Sequence, residues 1–238
     1  MISLDTIYRD RFESTGLSKR NAVWRVLCTD FFNPLIGPDK DVLDLGCGYG
    51  EFINNVAARS KIGVDLNSDS PKHLCSEARF VHTKATDLSP VASDSQDVVF
   101  TSNFLEHLPS KHDLDLVFDE VRRVLRDGGR FIVLGPNIRY AYKEYWDFYD
   151  HYLPLSHLSL QEGLHQHGFR VIRNIPRFLP YTMKSRLPSA DVLVSMYLKM
   201  PFMWWVVGKQ FLVIARKGEP DETLTRGMVA ESLSGKLR

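Results

Sequence analysis

The chain has 238 residues, of which 44% are hydrophobic, and this is enough to bury the core of one sizeable α/β domain without metals or disulfides. Its three cysteines are odd in number and lack the close-pair spacing of metal ligands, so we predict reduced thiols and no metal site. The first residues include acids and no apolar segment of the signal-peptide kind, which favours a cytoplasmic protein.

Charge is divided along the chain. Residues 170–217 contain nine basic side chains and one acid, a local net charge of +8, whereas the whole chain carries +1. A basic segment of this kind suits an anionic partner, although a solvated surface explains it equally well. The small total charge, and the lack of an Asn/Asp-Pro-Pro-Tyr/Phe motif, argue against nucleic acid as a substrate.

Residues 1–38 are predicted to be largely helical. Within residues 19–32, Val23, Val26 and Leu27 recur at three- and four-residue spacing, which is typical of one face of an amphipathic helix. The Asn-Pro pair at residues 33–34 is expected to end that helix.

Residues 41–52 predict a strand and a tight glycine turn, followed by a helix to Arg59. The glycines are Gly46, Gly48 and Gly50. Glycine permits positive φ and lacks a Cβ atom, so a flat ligand can lie almost against the backbone at the end of the strand. The spacing excludes a dinucleotide fingerprint, because Glu51 stands where its third glycine would be, and no P-loop motif occurs.

The acidic-x-Gly-x-Gly-x-Gly pattern, with Asp44 as the acid, resembles the S-adenosylmethionine-binding motif of class I methyltransferases. Residues 40–135 also show five strands and their helices in an order similar to that family. The resemblance implies one domain over residues 1–217, with a Rossmann-like seven-stranded, mostly parallel sheet, an antiparallel last strand and helices on both faces. Residues 40–135 would bind S-adenosylmethionine and residues 136–209 the acceptor.

The same resemblance implies an N-terminal helical cover over the cofactor cleft, formed by residues 1–38. Arg9, Arg11 and Arg20 are then candidates to bind a carboxylate or phosphate, with ordinary surface arginine as the alternative. At the other end, residues 218–238 are polar, without periodicity, and are expected to be loosely ordered.

Cofactor contacts are expected at the ends of four strands. The residues implied are Asp44, Gly46, Cys47, Gly48, Gly50, Asp65, Leu66, Asp87, Leu88, Asn103 and Phe104. Asp65 ends a short strand, and a carboxylate there can accept hydrogen bonds from both ribose hydroxyls. Asp87 would bind the adenine amino group while Leu88 packs on the ring, unless Asp87 only forms an Asx turn.

The Glu106–His107 pair follows the fourth strand and pairs an acid with a base. Neighbouring residues of a helix point about 100° apart, so the two side chains are not expected to act on one atom. We therefore interpret the pair as structural or cofactor-side. The next helix is predicted at residues 114–125, with a cap at residues 127–129, and the fifth strand at residues 130–134.

Residues 139–158 are rich in aromatic side chains, with acids and histidines between them. This composition favours a wall that stacks on a polar ring, such as a sugar or an aromatic acceptor, the alternative being a lid packed on the sheet. A hydroxyl acceptor needs a general base with a pKa near the working pH. His151, close to Asp147 and Asp150, is the first candidate for the catalytic base, and His157 is the second.

A helix that begins with a capping box at Ser159 leads to a sixth strand at residues 170–175, and a seventh is predicted at residues 210–216. Residues 176–209 form an insertion between these strands. Its basic residues include Arg177, Lys184, Arg186 and Lys199, and its apolar run is too short and broken to span a membrane. The insertion suits peripheral membrane contact, a cover for the acceptor, a homodimer face or a site for the diphosphate of an activated sugar.

Together these features predict methyl transfer from S-adenosylmethionine to a small acceptor, with a hydroxyl of a sugar or glycoconjugate precursor as the expected target. That target rests on the resemblance of residues 146–157 and the basic insertion to family members associated with bacterial polysaccharide or glycolipid assembly. Two alternatives remain open: O-methylation of a phenol, quinone or natural product, and a catalytically silent scaffold that binds the cofactor.

Overall fold

The computed structural model describes residues 17–181 and 191–218. The predicted roles of Arg9, Arg11, Lys184 and Arg186, and the predicted tail after residue 218, lie outside these residues. The strands are β1 (Asp41–Leu45), β2 (Ser60–Asp65), β3 (Ala78–His82), β4 (Gln96–Ser102), β5 (Leu125–Pro136), β6 (Phe169–Leu179) and β7 (Gln210–Lys217). The helices are α1 (Leu17–Leu27), α2 (Asn33–Ile36), α3 (Lys111–Val124), α4 (Ile138–Tyr145), α5 (His157–Gln166), α6 (Asp191–Leu198) and α7 (Pro201–Val207).

The seven strands form one sheet in the order β3-β2-β1-β4-β5-β7-β6. The pairs among β1 to β5 are parallel, whereas β7 runs antiparallel to both of its neighbours, β5 and β6. This confirms the predicted Rossmann-like architecture. Strand order reverses between β1 and β4, and in such sheets the crevice outside the carboxyl ends of these strands is the usual ligand site.

Successive side chains of the central strands point to opposite faces of the sheet and belong to two core layers, one on each face. On one face, Val99 and Phe131 pack with Phe118 of α3 and Leu160 of α5. On the other, Phe100 and Ile132 pack with side chains of α1, α6 and α7, namely Leu27, Leu198 and Trp204. The described part of the N-terminal segment therefore packs on the sheet beside the insertion helices.

The helix predicted after the glycine turn is wrong, because residues 51–56 form a series of turns. Asn54 explains part of the difference. Its side-chain amide donates to the carbonyl of His73 at 2.8 Å, and its oxygen accepts the backbone N–H of Cys75 at 2.7 Å. Asparagine side chains that bond to the backbone in this way compete with helix formation.

Three element boundaries also differ from prediction. Helix α3 ends at Val124, and β5 already begins at Leu125, so the cap predicted at residues 127–129 lies within the strand. The N-terminal helix continues past Asn33 through a π-helical segment, Cys28–Phe32, into α2, where Pro34 occupies the first turn and no N–H is needed. The cap of α5 is Ser156 rather than Ser159: the Ser156 hydroxyl accepts the N–H of Ser159, whose hydroxyl accepts the N–H of Ser156.

Asp41, at the start of β1, joins three elements. Its carboxylate accepts hydrogen bonds from Arg59, Ser60 and Arg126, and these hold its pKa well below the usual range. A carboxyl group whose pKa is lowered by folding stabilises the protein above its unfolded pKa, near 4, and this contribution is lost as the pH falls through the folded pKa.

We therefore expect Asp41→Asn to lower the free energy of unfolding at pH 7 by about 1–2 kcal/mol, a figure that allows for solvent screening of the exposed Arg59. In urea denaturation, the difference in the free energy of unfolding between Asp41→Asn and the unsubstituted protein should become smaller as the pH falls from about 5 to about 2. Asp39→Asn, which changes an exposed neighbour paired only with Lys40, is the control and should not alter stability measurably. Equal effects of the two substitutions would contradict the assignment.

Candidate active site

The glycine turn stands at the carboxyl end of β1, next to the ends of β2 and β4. Leu45 of β1 pairs with Val64 and with Thr101, and the Thr101 hydroxyl donates to the Leu45 carbonyl at 2.7 Å. Gly46 and Gly50 have φ of +72° and +82°, a region that L side chains rarely adopt. A Cβ atom at Gly46 would lie 2.6 Å from the ring of Phe104, so the turn requires glycine for space as well as for conformation.

Asp65, the predicted ribose ligand, ties the tip of β2 to this turn. One carboxylate oxygen accepts the backbone N–H of Gly48 at 2.8 Å, and the other accepts that of Asn67 at 2.8 Å. Burial raises the pKa of the Asp65 carboxyl, although its backbone hydrogen bonds oppose the rise. Each carboxylate oxygen can accept more than one hydrogen bond, so ribose hydroxyls can still donate to this group.

Asp44 and Cys47 are buried beneath the turn. Burial, and then the charge of nearby Asp65, raise the pKa of Asp44, whose carboxyl accepts the backbone N–H of Ile53. Burial also raises the pKa of the Cys47 thiol. Asp44 thus supports the turn from its buried side. The neutral thiol of Cys47 packs against Gly63, in the space that a side chain at this position would occupy.

The predicted adenine contacts are divided between surface and core. Asp87 is exposed and its carboxylate accepts the backbone N–H of Ser89 at 3.1 Å, which is the Asx turn considered from the sequence. Leu88 is fully buried in the core, whereas Leu66, after Asp65, is 44% exposed at the rim of the site. Their predicted roles toward adenine and ribose stay predictions.

Asn103 and Phe104 follow β4 and face the glycine turn from the other side of the crevice. Asn103 has a φ of +48°, and its backbone N–H donates to the carbonyl of Leu134 at 2.9 Å. This turn directs the half-buried Phe104 ring onto Gly46. The glycine turn, Asp65 and Phe104 therefore come together at the carboxyl ends of β1, β2 and β4, where the cofactor was predicted to bind.

Of the three arginines predicted to bind an anion, the structure describes Arg20. Its side chain pairs with Glu51, which directly follows the glycine turn. Burial lowers the pKa of Arg20 to about 10. Beside this pair lies a polar cavity of about 90 Å³, which Tyr49, Asn54 and His73 help to line. The arginine thus contacts a side chain next to the cofactor turn.

Glu106 and His107 depart from the sequence interpretation. They lie in a 3₁₀ turn, Leu105–His107, and not in an α-helix. A carboxylate oxygen of Glu106 and a ring nitrogen of each of His107 and His151 lie within 4.8 Å of one another. The helical geometry behind the sequence interpretation is therefore wrong, and the interpretation of the pair as structural or cofactor-side stays a prediction. Pro109, two residues later, was a sequence signal against a continuing helix.

The loop that carries His151 is fixed to this turn by several hydrogen bonds. The carbonyl of Glu106 accepts the backbone N–H groups of Tyr152 and Leu153 at 2.9 and 3.1 Å. His107 Nδ1 lies 2.9 Å from the carbonyl oxygen of Asp150 and 3.2 Å from its carboxylate. Burial by itself would lower the pKa of His107, but Asp150 and the charge of Glu106 outweigh it, so the pKa is raised.

The two predicted base candidates occupy different environments. His151 is 8% exposed, stacks on Phe148 at 4.9 Å and belongs to the cluster with Glu106 and His107. His157, the first residue of α5, has its Nδ1 2.9 Å from the side-chain amide of Asn137, which donates to it. Burial lowers the pKa of His157, and the structure does not bring it into the cluster around His151.

Within residues 17–181 and 191–218, no helix is both long enough and apolar enough to cross a membrane. The insertion helices α6 and α7 nevertheless present a group of exposed apolar side chains. These are Val192, Leu193, Met196, Phe202, Trp205, Val206 and Val207.

Comparison with known proteins addresses the segment from β1 to β5. Residues 43–133 match the family described as Methyltransferase domain. An uncharacterized protein of Methanocaldococcus jannaschii is 30% identical over 150 residues, which cover 62% of this chain and 63% of that protein. A fatty-acid O-methyltransferase of Mycolicibacterium smegmatis is 33% identical over 149 residues, which cover 59% of this chain and 51% of the relative. The chain thus spans less than two thirds of these curated relatives.

Among solved structures, a SAM-dependent methyltransferase from Archaeoglobus fulgidus superposes with a TM-score of 0.64 at 20% identity, over 90% of this chain and 100% of that one. This likeness concerns the fold. The domain match covers the glycine turn, Asp65, Asp87 and the turn after β4, and it supports S-adenosylmethionine as the cofactor and a methyltransferase as the class of enzyme.

We expect Asp65→Asn to weaken S-adenosylmethionine binding by about 10- to 100-fold, because an amide accepts hydroxyl hydrogen bonds less strongly than a buried carboxylate. Isothermal titration calorimetry measures this change, with circular dichroism to verify the fold. Asp69→Asn replaces an acid four residues along the chain that pairs with Lys72, and it serves as the control. Unaltered affinity in Asp65→Asn would remove this residue from the cofactor site.

Proposed function

We propose that this protein, whose residues 43–133 match the methyltransferase domain family, transfers a methyl group from S-adenosylmethionine to a hydroxyl of a small acceptor. The observation that carries the proposal is the glycine turn held at the sheet crevice by Asp65. When bound, the cofactor supplies a methyl group on a sulfonium, which is transferred by in-line displacement. The chain then has to bind and orient the two substrates and handle one proton.

For the acceptor we propose a polar ring, with a sugar or glycoconjugate precursor as the first choice. Two aromatic residues of the predicted wall, Tyr145 and Phe148, pack on His151 with ring centroids 4.7 and 4.9 Å from its ring. Tyr142, Trp146, Tyr149 and Tyr152 are exposed, whereas Tyr145 is buried and its hydroxyl donates to the carbonyl of Leu153 at 2.7 Å. Exposed rings of this kind suit stacking on a sugar, and equally on a phenol or quinone, which is the second acceptor class.

His151 is the residue that we assign to the acceptor proton. It lies at the end of the loop fixed to Glu106, among aromatic side chains, and only a small part of its surface reaches solvent. His157 is less suited to act as a base, because the Asn137 amide donates to its Nδ1 and the ring proton then resides on Nε2. The rival function, a silent scaffold, predicts that the cofactor binds without turnover.

Transfer of a labelled methyl group to a panel of nucleotide-sugars, glycolipids and phenols tests the function directly. We expect turnover with at least one sugar acceptor and a loss of about 100-fold or more in His151→Ala, at unchanged affinity for S-adenosylmethionine. His112→Ala, which removes an exposed histidine of α3, is the matched control and should retain full activity.

Four outcomes would contradict parts of this proposal. A failure to bind S-adenosylmethionine at millimolar concentration excludes the methyltransferase assignment. Cofactor binding without transfer to any member of the panel favours the scaffold. Transfer to phenols alone replaces the sugar with the second acceptor class, and full turnover by His151→Ala removes this residue from proton handling.

We also propose that the exposed apolar side chains of α6 and α7 bind peripherally to a membrane surface carrying the acceptor. Phe202 and Trp205 are each 61% exposed, and Lys199 between the helices is exposed. Apolar rings beside a basic residue are typical of helices that lie in the headgroup region of an anionic bilayer. A homodimer face is the alternative occupant of the same surface.

We expect the double variant Phe202→Ser, Trp205→Ser to lose sedimentation with phosphatidylglycerol-containing vesicles that the unaltered protein binds. Leu116→Ser, which removes an exposed apolar residue from α3, is the control and should sediment normally. Absence of vesicle binding by the unaltered protein, with a concentration-dependent dimer in analytical ultracentrifugation, would assign the surface to self-association.

A further inference from the structure

The cluster of Glu106, His107 and His151 offers one carboxylate oxygen and two imidazole nitrogens within 4.8 Å of one another. Glu106 and His151 are buried, and His107 is partly buried. The cluster lies where the turn after β4 meets the loop after α4, two residues beyond Phe104, which contacts the glycine turn. It therefore lies close to the glycine turn at which the cofactor is proposed to bind.

The orientation of His107 favours ligation through Nε2. Its Nδ1 faces the carbonyl and the carboxylate of Asp150, and both of these groups only accept hydrogen bonds. The hydrogen of the neutral ring consequently resides on Nδ1, and the lone pair resides on Nε2. A carboxylate or carbonyl that fixes the second ring nitrogen is the usual support of a histidine that binds a metal ion.

Backbone hydrogen bonds hold together the two segments that carry these side chains. Two N–H groups, from Tyr152 and Leu153, donate to the carbonyl of Glu106, so the loop and the turn move together. His107 and His151 also pack edge to face at 4.9 Å. Metal–ligand bonds of about 2.1 Å separate ligand atoms by roughly 3–3.5 Å, so small rotations of the three side chains bring them to bonding distance.

We propose that Glu106, His107 and His151 bind a divalent transition-metal ion, such as Zn²⁺, with at least one coordination position open to the acceptor. Two imidazoles and one carboxylate suit first-row transition metals, whereas Mg²⁺ and Ca²⁺ prefer oxygen ligands throughout. This site was not predicted from the sequence, because His151 is separated from the other two residues by more than forty residues of chain.

The catalytic consequence rests on the proposed methyl transfer. An acceptor hydroxyl bound to the ion would have a lowered pKa, and its proton would pass to water. The acceptor oxygen would then form the new bond to the methyl carbon while the bond from that carbon to the sulfonium breaks, and the sulfur would keep the electron pair of the broken bond. This replaces the role of His151 as proton acceptor in the proposed function, because with the ion bound His151 would be a metal ligand that positions the acceptor. Cation binding itself does not depend on the cofactor and can be measured separately.

The test titrates ZnCl₂ into chelator-treated protein by calorimetry, in the absence of cofactor, with CoCl₂ absorption as a report on coordination. We expect one ion per chain and a loss of affinity of about 100-fold in Glu106→Gln and in His151→Ala. Asp150→Asn should weaken binding by about 10- to 100-fold, because it loosens the orientation of His107. His112→Ala is the control and should bind as the unaltered protein does.

Binding of S-adenosylmethionine by each variant verifies that the fold is retained. Absence of one-to-one binding of Zn²⁺ and Co²⁺, or equal binding by Glu106→Gln and the unaltered protein, would overturn the metal site. If instead Zn²⁺ binds as expected but the protein does not bind S-adenosylmethionine, the proposed methyl transfer fails while the metal site stands.

Discussion

The hydrogen bond from the Gly48 amide to the Asp65 carboxylate, 2.8 Å long, is the contact on which the rest of the site depends. It fixes the turn after β1 to the tip of β2, at the point where the order of the sheet reverses. Because Asp65 is buried, its charge requires several backbone donors, and the turn supplies one of them. The same constraint leaves the glycine backbone facing the crevice and places Phe104 opposite it.

Much of the cofactor half could be predicted because its determinants are local. Glycine spacing, short apolar runs and the acid at the end of β2 each act over a few residues. They predicted the order of the strands from β1 to β5, although β5 begins at Leu125 and not at residue 130. The helix after the turn could not be predicted, because Asn54 bonds to backbone groups about twenty residues away. The burial of the Leu88 side chain could not be predicted either, because it depends on how α3 packs over this residue.

The part of the chain after β5 was harder to predict for a related reason. From residues 139–158, chemistry alone gave His151 as the first candidate base and His157 as the second. The sequence did not show that Asp150 contacts His107, which lies forty-three residues earlier in the chain. Contacts of that range carry no spacing pattern, so the cluster with Glu106 emerges only when the turn after β4 and the following loop are folded together.

The reversed direction of β7 has a consequence for how this protein can change. Because β7 runs antiparallel to β6, the end of β6 at Leu179 pairs with the start of β7 at Gln210. The chain therefore leaves and re-enters the sheet at the same end, close to the carboxyl ends of the parallel strands. Everything between these residues can lengthen, shorten or be replaced during evolution without altering the register of the central strands. The surface formed between β6 and β7 can thus diverge among descendants of this gene while the glycine turn stays constant.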